Sequence, residues 1–147
     1  MDVMVKKILV PIDGSKNSFK AVDHESALAR YAGAELGILY VSVLSQQLPL
    51  ASQIEGYKVP TYSVANPEEF AQKILSESVK CVPGDVRVHV YNEIGSPTIV
   101  ITEFAEQNNY DIIVIGSRGL GSISGLIMGS VSNYVVHEAH CPVLVVK

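Results

Sequence analysis

A chain of 147 residues, 48% of them hydrophobic, is long enough to build one domain around a single core. Its formal charge of -4 at pH 7 argues against nucleic acid as the main partner, because contacts with a phosphate backbone favour a basic surface. The sequence has neither an apolar run long enough to span a bilayer nor an export signal, so we expect a cytoplasmic protein whose two cysteines stay reduced.

The first elements are a strand, a helix and a second strand. The nearly continuous apolar run KKILVPI, residues 6–12, is typical of a strand buried on both faces. Ser15 is placed to cap a helix, and Gly33 is placed to end it in the left-handed conformation. ELGILYVSV, residues 35–43, predicts another buried strand. The inward stripe of the helix is predicted to be Phe19, Val22, Ser26 and Ala29.

A long polar interval, residues 44–65, fits no regular element. Two interpretations stay open. One is a variable surface excursion, because surface loops tolerate insertion. The other is a lid or a partner-contact segment, whose apolar contacts would come from Leu48, Leu50, Ile54 and Tyr57.

The second helix carries a complete set of start signals. Asn66 stands at the N-cap, Pro67 at the first helical position, and Glu69 where a capping box requires it. The alternating run VRVHVYN, residues 86–92, predicts the third strand. The inner face of the helix is predicted to be Phe70, Ala71, Ile74, Leu75 and Ser78.

The segment SPTIVITEFAEQNN is ambiguous, because its β-branched residues favour a strand by propensity alone. Ser96 and Pro97 provide a helix cap and first turn, and Ile101, Phe104 and Ala105 share one helical face. A parallel strand on either side also requires a crossover. We therefore predict a helix.

The last elements are a strand at residues 111–115, a helix at residues 130–139 and a strand at residues 141–147. In this helix we expect Val131, Tyr134 and Val135 to face inward. Alternation of strand and helix along the whole chain predicts an α/β fold, with a parallel sheet covered on both faces. We expect one domain over residues 1–147.

Between the fourth strand and the last helix lies GSRGLGSISGLIMGS, residues 116–130, which has the composition of a flexible tether. Its position, with structure expected on both sides, favours an anion-binding loop. Main-chain N–H groups reach an oxyanion where no Cβ intervenes, and Ser130 opens a helix whose positive end attracts anions. Asp13 and Gly116 leave the first and fourth strands at the edge where ligands of parallel sheets bind.

The loop is suited to holding phosphates and poorly suited to cleaving them. Arg118 is its one cation, and the lysine of a Walker A loop is missing. Phosphoryl transfer needs a metal clamp and a positioned nucleophile, which the sequence does not reveal. His137 and His140 lack metalloprotease spacing and are interpreted as surface residues. Three simpler roles stay open: Asp13 as a turn cap, Ser130 as an N-cap only, and Arg118 as a solvated charge.

Gly116, Gly119, Gly129 and Ser130 stand in the spacing G-x2-G-x9-G-S, which resembles the ATP-binding signature of the universal stress protein family. The segments ILVPIDGS, GSPTIVI, DIIVIGSRG and CPVLVV also resemble family landmarks, and they occur in the expected order. The resemblance therefore covers essentially the whole chain.

This resemblance implies a doubly wound, Rossmann-like sheet of the adenine nucleotide alpha hydrolase-like type, with strand order 3-2-1-4-5. ATP would lie across strands one and four, with adenine between Pro11 and the backbone of Val41, and with the ribose near Asp13 and Gly116. Mg²⁺ or Mn²⁺ would be bound through the phosphates. The remaining expected ligand contacts are Ser15, Arg118, Gly119, Leu120, Gly121, Ser122, Gly129, Ser130, Val131 and Ser132.

The resemblance also implies a homodimer through Pro142 to Val146, consistent with an apolar edge strand that would otherwise be exposed. The intact glycine pattern places the chain with the ATP-binding members. The leading hypothesis is a nucleotide-dependent regulatory or stress-response protein with slow or no hydrolysis. The alternatives are a slow ATPase or nucleotidyl-transferring enzyme, and a structural dimerisation module.

Overall fold

The computed structural model describes residues 4–43, 66–119 and 128–147. Within them, strands and helices alternate as the sequence predicts. The strands are β1 (Lys7–Ile12), β2 (Glu35–Ser42), β3 (Val88–Ile94), β4 (Ile112–Gly116) and β5 (Val143–Val146). The helices are α1 (Lys16–Ala32), α2 (Pro67–Val79), α3 (Pro97–Gln107) and α4 (Ser130–Glu138).

The strands form one parallel sheet in the order β3-β2-β1-β4-β5, which confirms the predicted order. β1 lies at the centre, and its residues Ile8, Leu9 and Val10 are fully buried. One core cluster packs α1 and α2 onto one face of the sheet, and a second packs α3 and α4 onto the other. The doubly wound α/β fold is therefore confirmed.

Both predicted caps of α1 are confirmed. The Ser15 hydroxyl accepts a hydrogen bond from the Ser18 N–H at 3.2 Å, and Gly33 ends the helix with φ 67°. Three residues of the predicted stripe are buried and Phe19 is half-buried. The sequence did not predict that Glu25 would be buried on the same face.

The start of α2 confirms the cap and modifies the capping box. The Asn66 side-chain oxygen accepts from the Glu69 N–H at 3.2 Å, and Pro67 is the first helical residue. The Glu69 carboxylate accepts from the Asn66 side-chain amide at 3.0 Å. The predicted inner face is buried, apart from a half-buried Phe70.

The segment with strand propensity is a helix, α3, as the need for a crossover predicted. Ile101 and Ala105 are buried on its inner face. Ser96 occupies the N-cap position, but its hydroxyl bonds to the Thr98 hydroxyl at 3.0 Å and caps no backbone N–H. The Thr102 hydroxyl donates within the helix to the Ile99 carbonyl, which shows how a β-branched polar residue is accommodated there.

The predicted inward face of α4 is partly wrong. Val135 is fully buried and Val131 half-buried, but Tyr134 is 37% exposed. The buried face of α4 instead includes Ser132, whose hydroxyl finds backbone acceptors inside the fold. The inward face is therefore rotated away from Tyr134, toward a polar side chain that has internal partners.

The interval at residues 44–65, with both of its interpretations, lies outside the described residues. Among the helices that are described, none combines the length and apolar character needed to cross a membrane.

Candidate functional site

A cleft of about 270 Å³ opens at the carboxyl ends of β1, β2 and β4. Chain connections leave β1 and β4 in opposite directions, and such a switch point is where parallel sheets bind ligands. Its volume is just below the ~300–1,000 Å³ typical of small-molecule sites. Most of the predicted ligand contacts line it: Pro11, Asp13, Val41, Gly116, Arg118, Gly119, Gly129, Ser130, Val131 and Ser132.

Four predicted contacts are not found in the lining. Leu120, Gly121 and Ser122 lie outside the described residues. Ser15 is described but is not a lining residue, because its hydroxyl is used to cap α1. The N-cap signal of this serine was a better guide to its position than the family resemblance that placed it among the ligand contacts.

Sequence reasoning missed the apolar walls of the cleft. Pro97 and Ile101 reach it from the start of α3, which packs on the same face of the sheet as α4. The rule that helix starts meet the carboxyl edge of a parallel sheet could have identified Pro97. The other lining residues that were not predicted are Ile12, Ser18, Leu39, Tyr40, Val43 and Ile115.

The two carboxylate oxygens of Asp13 have different environments. Oδ1 accepts a hydrogen bond from the Ser15 N–H at 2.9 Å, so the turn-cap role is confirmed for this oxygen. Oδ2 lies against Gly119, where a Cβ on the glycine would collide with it. Gly14, at φ 89°, makes the turn between Asp13 and the cap. The turn therefore aims one carboxylate oxygen across the cleft at the glycine loop.

Gly116 and Gly119 lack side chains for different reasons. A Cβ on Gly116 would lie 3.0 Å from the backbone carbon of Asn17, so the glycine lets α1 pack closely on the end of β4. Among the described residues, a Cβ on Gly119 would meet the Asp13 carboxylate, a flexible group inside the cleft. Packing explains the first glycine, whereas access to the cleft explains the second.

The N-terminus of α4 presents main-chain donors to the cleft. Gly129 is the N-cap, and the first intrahelical bond runs from the Asn133 N–H to the Gly129 carbonyl at 3.0 Å. The N–H groups of Ser130, Val131 and Ser132 precede that bond and have no partner within the helix. Ser130 is the first helical residue, so its interpretation as the N-cap is wrong.

The start of α4 is attached to the end of β4 through the Ser117 carbonyl. This oxygen accepts from the Gly129 N–H at 2.7 Å and from the Ser132 hydroxyl at 3.0 Å. The Ser132 hydroxyl also lies 3.0 Å from the Gly129 carbonyl. Of the N–H groups at this end, that of Gly129 is thus already used.

The described residues of the lining carry one negative and one positive side chain, Asp13 and Arg118. Arg118 is exposed and takes part in none of the ion pairs found among the described residues, in agreement with a solvated charge. The cleft therefore offers a carboxylate at one place and an exposed guanidinium with helix N–H groups at another.

Metal chemistry has little support elsewhere in the described part of the chain. No group of three histidine, cysteine or acidic residues there could hold an ion. His137 and His140 are exposed, as the sequence predicted. Cys81 and Cys141 are free thiols, and burial raises the pKa of each.

Known proteins match this chain over nearly its whole length. The model of the universal stress protein family matches residues 4–147. The universal stress protein MJ0531 of Methanocaldococcus jannaschii is 32% identical over 144 residues, which are 98% of this chain and 83% of that protein. Universal stress protein YxiE of Bacillus subtilis is 32% identical over 98% of this chain and 100% of its own.

Solved structures of the family share the fold. UspA from Lactobacillus plantarum superposes with a TM-score of 0.75 at 24% identity, covering 99% of this chain and 100% of that one. A universal stress protein in complex with cAMP gives 0.67 at 22% identity, covering 99% and 98%. The Archaeoglobus fulgidus protein in complex with dAMP gives 0.64 at 18% identity, covering 99% and 100%. These likenesses show the shared fold, and the family match over residues 4–147 with the two relatives at 32% identity shows that the chain belongs to the universal stress protein family.

Proposed function

We propose that this protein binds ATP in the cleft and acts as a nucleotide-dependent regulatory protein of the stress response, with slow or no hydrolysis. One observation carries the proposal. The Asp13 carboxylate faces Gly119, where a Cβ would displace it, and the same cleft receives the N-terminus of α4. A carboxylate that can accept hydrogen bonds from a sugar therefore lies beside helix N–H groups that can bind an anion.

The base would bind in the apolar half of the cleft. Its walls come from strand ends and from the start of α3, and they offer hydrocarbon surface for a flat ring. Hydrogen bonds to the base would come from the backbone of Val41, with the ring lying between it and Pro11. The apolar side chains of this half are Pro11, Leu39, Val41, Val43, Pro97, Ile101 and Ile115.

The charges set the direction in which the nucleotide would lie. An ionised carboxylate only accepts hydrogen bonds, so Asp13 suits ribose hydroxyls and repels a phosphate placed beside it. The phosphates would then extend toward Arg118 and the N–H groups of Ser130, Val131 and Ser132. Charge-assisted hydrogen bonds of about 1.5–3 kcal/mol each make millimolar to micromolar affinity attainable without a lysine.

The residues present also fit a metal held by the ligand. Asp13 is the one carboxylate in the described lining, too few for a protein cage around Mg²⁺ or Mn²⁺. Phosphate oxygens would supply the other ligands, as is usual for Mg²⁺ at nucleotides. We therefore propose that either metal enters with the phosphates.

The relatives support an adenine nucleotide as the ligand class, since two neighbours of the same fold were solved with cAMP and dAMP. A triphosphate is favoured here because Arg118 and the N–H groups at the start of α4 would lie on the phosphate side of the ribose. The glycine spacing, which resembles that of the ATP-binding subgroup, supports the same choice. We also propose that the protein is cytoplasmic, and ATP is abundant in the cytoplasm.

The proposed homodimer would form through Pro142 to Val146. β5 is an edge strand, and its Leu144 is 43% exposed. Edge strands with exposed apolar residues pair readily with another chain. Sedimentation of wild type against Leu144→Glu tests this, and a monomeric wild type at micromolar concentration would contradict it.

Calorimetric titration with ATP, with and without Mg²⁺, tests the function directly. We expect a dissociation constant between about 1 μM and 1 mM. The absence of both binding heat and a thermal shift at millimolar ATP would overturn the proposal. The structural dimerisation module would then be the remaining hypothesis. Nucleotide carried through purification, detected by native mass spectrometry, would support it.

The alternative of an enzyme is tested by product release. Wild type and Asp13→Ala are incubated with ATP for hours, and ADP and AMP are quantified. Turnover that depends on Asp13 would favour the slow ATPase or the nucleotidyl transferase. Product at background level in both samples supports a protein that holds its nucleotide.

A further inference from the structure

We propose that Ser132 is a positioning residue, whose buried hydroxyl locks the first turn of α4 against β4 so that the helix N–H groups face the phosphates. The inference deepens the proposed function and rests on it. Sequence reasoning placed Ser132 among the ligand contacts. The structure gives its hydroxyl internal partners, and leaves its backbone N–H for the ligand.

The first step is the burial of the side chain. Ser132 is 3% exposed, and its oxygen lies 3.0 Å from the carbonyl oxygens of both Ser117 and Gly129. A hydroxyl has one proton, so it is shared between these two acceptors or donated to one at a time. Either way the hydroxyl is committed to the protein backbone.

The second step is the stiffness of the anchor. Ser117 follows β4 directly and is 5% exposed. Its N–H donates to the carbonyl of Val146, at the end of β5, at 2.8 Å. Its carbonyl receives the Gly129 N–H at 2.7 Å, as well as the Ser132 hydroxyl. Ser117 is thus fixed to the sheet on one side and holds α4 on the other.

The third step is geometric. The Gly129 N–H alone would attach the helix at one point, about which the first turn could pivot. Ser132 lies three residues further on and adds a second point on the same carbonyl. Two attachments fix the direction of the N–H groups of Ser130, Val131 and Ser132, and oriented donors bind an anion without first losing conformational freedom.

The test compares Ser132→Ala with Ser26→Ala. Ser26 is the matched control: it is 2% exposed, and its hydroxyl donates to the Val22 carbonyl at 2.7 Å within α1, away from the cleft. Both variants lose one buried hydroxyl of a helix. Urea unfolding measures the stability of each, and calorimetry measures the affinities for ATP, tripolyphosphate and adenosine.

We expect Ser132→Ala to lower the affinities for ATP and tripolyphosphate about tenfold, which is the size of effect that the loss of one hydrogen bond produces. The affinity for adenosine should be unchanged. Ser26→Ala should lose similar stability and keep all three affinities. Ser132→Cys replaces the hydroxyl by a somewhat larger thiol, which is a weak donor. It should also lower the affinities for ATP and tripolyphosphate relative to that for adenosine, and it serves as the test if the alanine variant does not fold.

Equal losses for ATP and adenosine would reduce Ser132 to a structural residue and overturn the inference, as would unchanged affinities for all three. Both results presuppose a wild type that binds ATP, so they leave the proposed function intact. A wild type that binds neither ATP nor tripolyphosphate overturns both proposals. A selective loss of the phosphate-bearing ligands supports the positioning role.

Discussion

Polar groups at the amino ends of β1 and β4 bond to one another, whereas the carboxyl ends of the same strands are bordered by glycines and by the N–H groups at a helix start. At the amino ends, the Asp111 carboxylate accepts from the N–H groups of Lys6 and Lys7 at 2.8 and 2.9 Å. The Lys7 ammonium lies 4.5 Å from the centre of the Tyr110 ring and donates to the Asn108 carbonyl at 2.5 Å. At the carboxyl ends, Gly119 and the start of α4 border a cleft.

The two ends of the sheet therefore have different roles, one in stability and the other in binding. Groups that already have partners contribute to the free energy of unfolding and have nothing left to offer a ligand. Donors without a partner in the helix contribute little to folding and can bind an anion. Substitutions at the amino ends should therefore change stability and leave binding unchanged, whereas a substitution at Gly119 should change binding and leave stability nearly unchanged.

Gly37→Ala should give the largest effect and should act on stability. A Cβ on Gly37 would collide with the hydroxyl and ring carbons of Tyr110, which is 4% exposed and hydrogen-bonded to Tyr91. We expect a loss of about 3 kcal/mol in urea unfolding, as for an overpacked core. The ATP affinity of the folded protein should be unchanged.

Adding Tyr110→Phe to Gly37→Ala checks the cause. Removal of the hydroxyl takes away one of the colliding atoms, so the double variant should lose less than the two single losses added together. Simple additivity would mean that the collision with Tyr110 is not what destabilises Gly37→Ala.

Gly119→Ala should give the opposite pattern. The new methyl meets the Asp13 carboxylate, which can swing aside at little cost to the fold but then leaves its position for the ribose. We expect ATP affinity to fall about 100-fold, roughly 2.7 kcal/mol, with the unfolding midpoint unchanged. Gly84→Ala, where a Cβ would meet nothing within 4 Å, is the control. If Gly119→Ala bound ATP like wild type, the proposed cradle would be wrong.

Asp111→Ala should have a smaller effect at the amino ends. It leaves two strand N–H groups without their acceptor, but they are exposed and water can replace it in part. We expect a loss of about 1 kcal/mol. Asp111→Asn keeps one acceptor oxygen and should lose less. A change in ATP affinity in either variant would contradict the separation of the two ends.

The order of elements could be predicted because it depends on local and topological signals. The α3 segment is the clearest case: propensity favoured a strand, and the need for a crossover correctly gave a helix. The burial of Ser132 and Glu25 could not be predicted, because it depends on packing between segments distant in sequence. Tyr134 was placed inward because of its hydrophobicity, whereas the contacts that bury Ser132 join segments distant in sequence.

The candidate site was predictable on the glycine side and much less so on the base side. The loop glycines carry a local signature, whereas Pro97 and Ile101 join the cleft only through the packing of α3. Glycine also has more than one use. Nothing in the sequence distinguishes Gly116, where a side chain would collide with the backbone of Asn17, from Gly119, which faces the cleft. Ser15, likewise, carried a helix-start signal that the structure uses for capping.

Glu25 belongs to neither end, and it should produce the smallest effect. It is 2% exposed on the inner face of α1, and its Oε2 finds no hydrogen-bond partner among the described residues. Burial raises the pKa of this carboxyl above its ordinary value of 4.5, and the neighbouring His24 opposes that shift. A raised pKa in the fold means that the stability contribution is complete below the unfolded pKa and is lost as the pH rises through the folded one.

Glu25→Gln removes this titration, so its free energy of unfolding should fall less than that of wild type as the pH rises above the ordinary carboxyl pKa of 4.5. Urea unfolding at several pH values measures the difference, and ATP titration should show no change, since Glu25 does not line the cleft. Glu106→Gln, an exposed position on α3, should keep the wild-type pH dependence. Parallel pH profiles for Glu25→Gln and wild type would mean that the buried carboxyl is not what makes stability fall with rising pH.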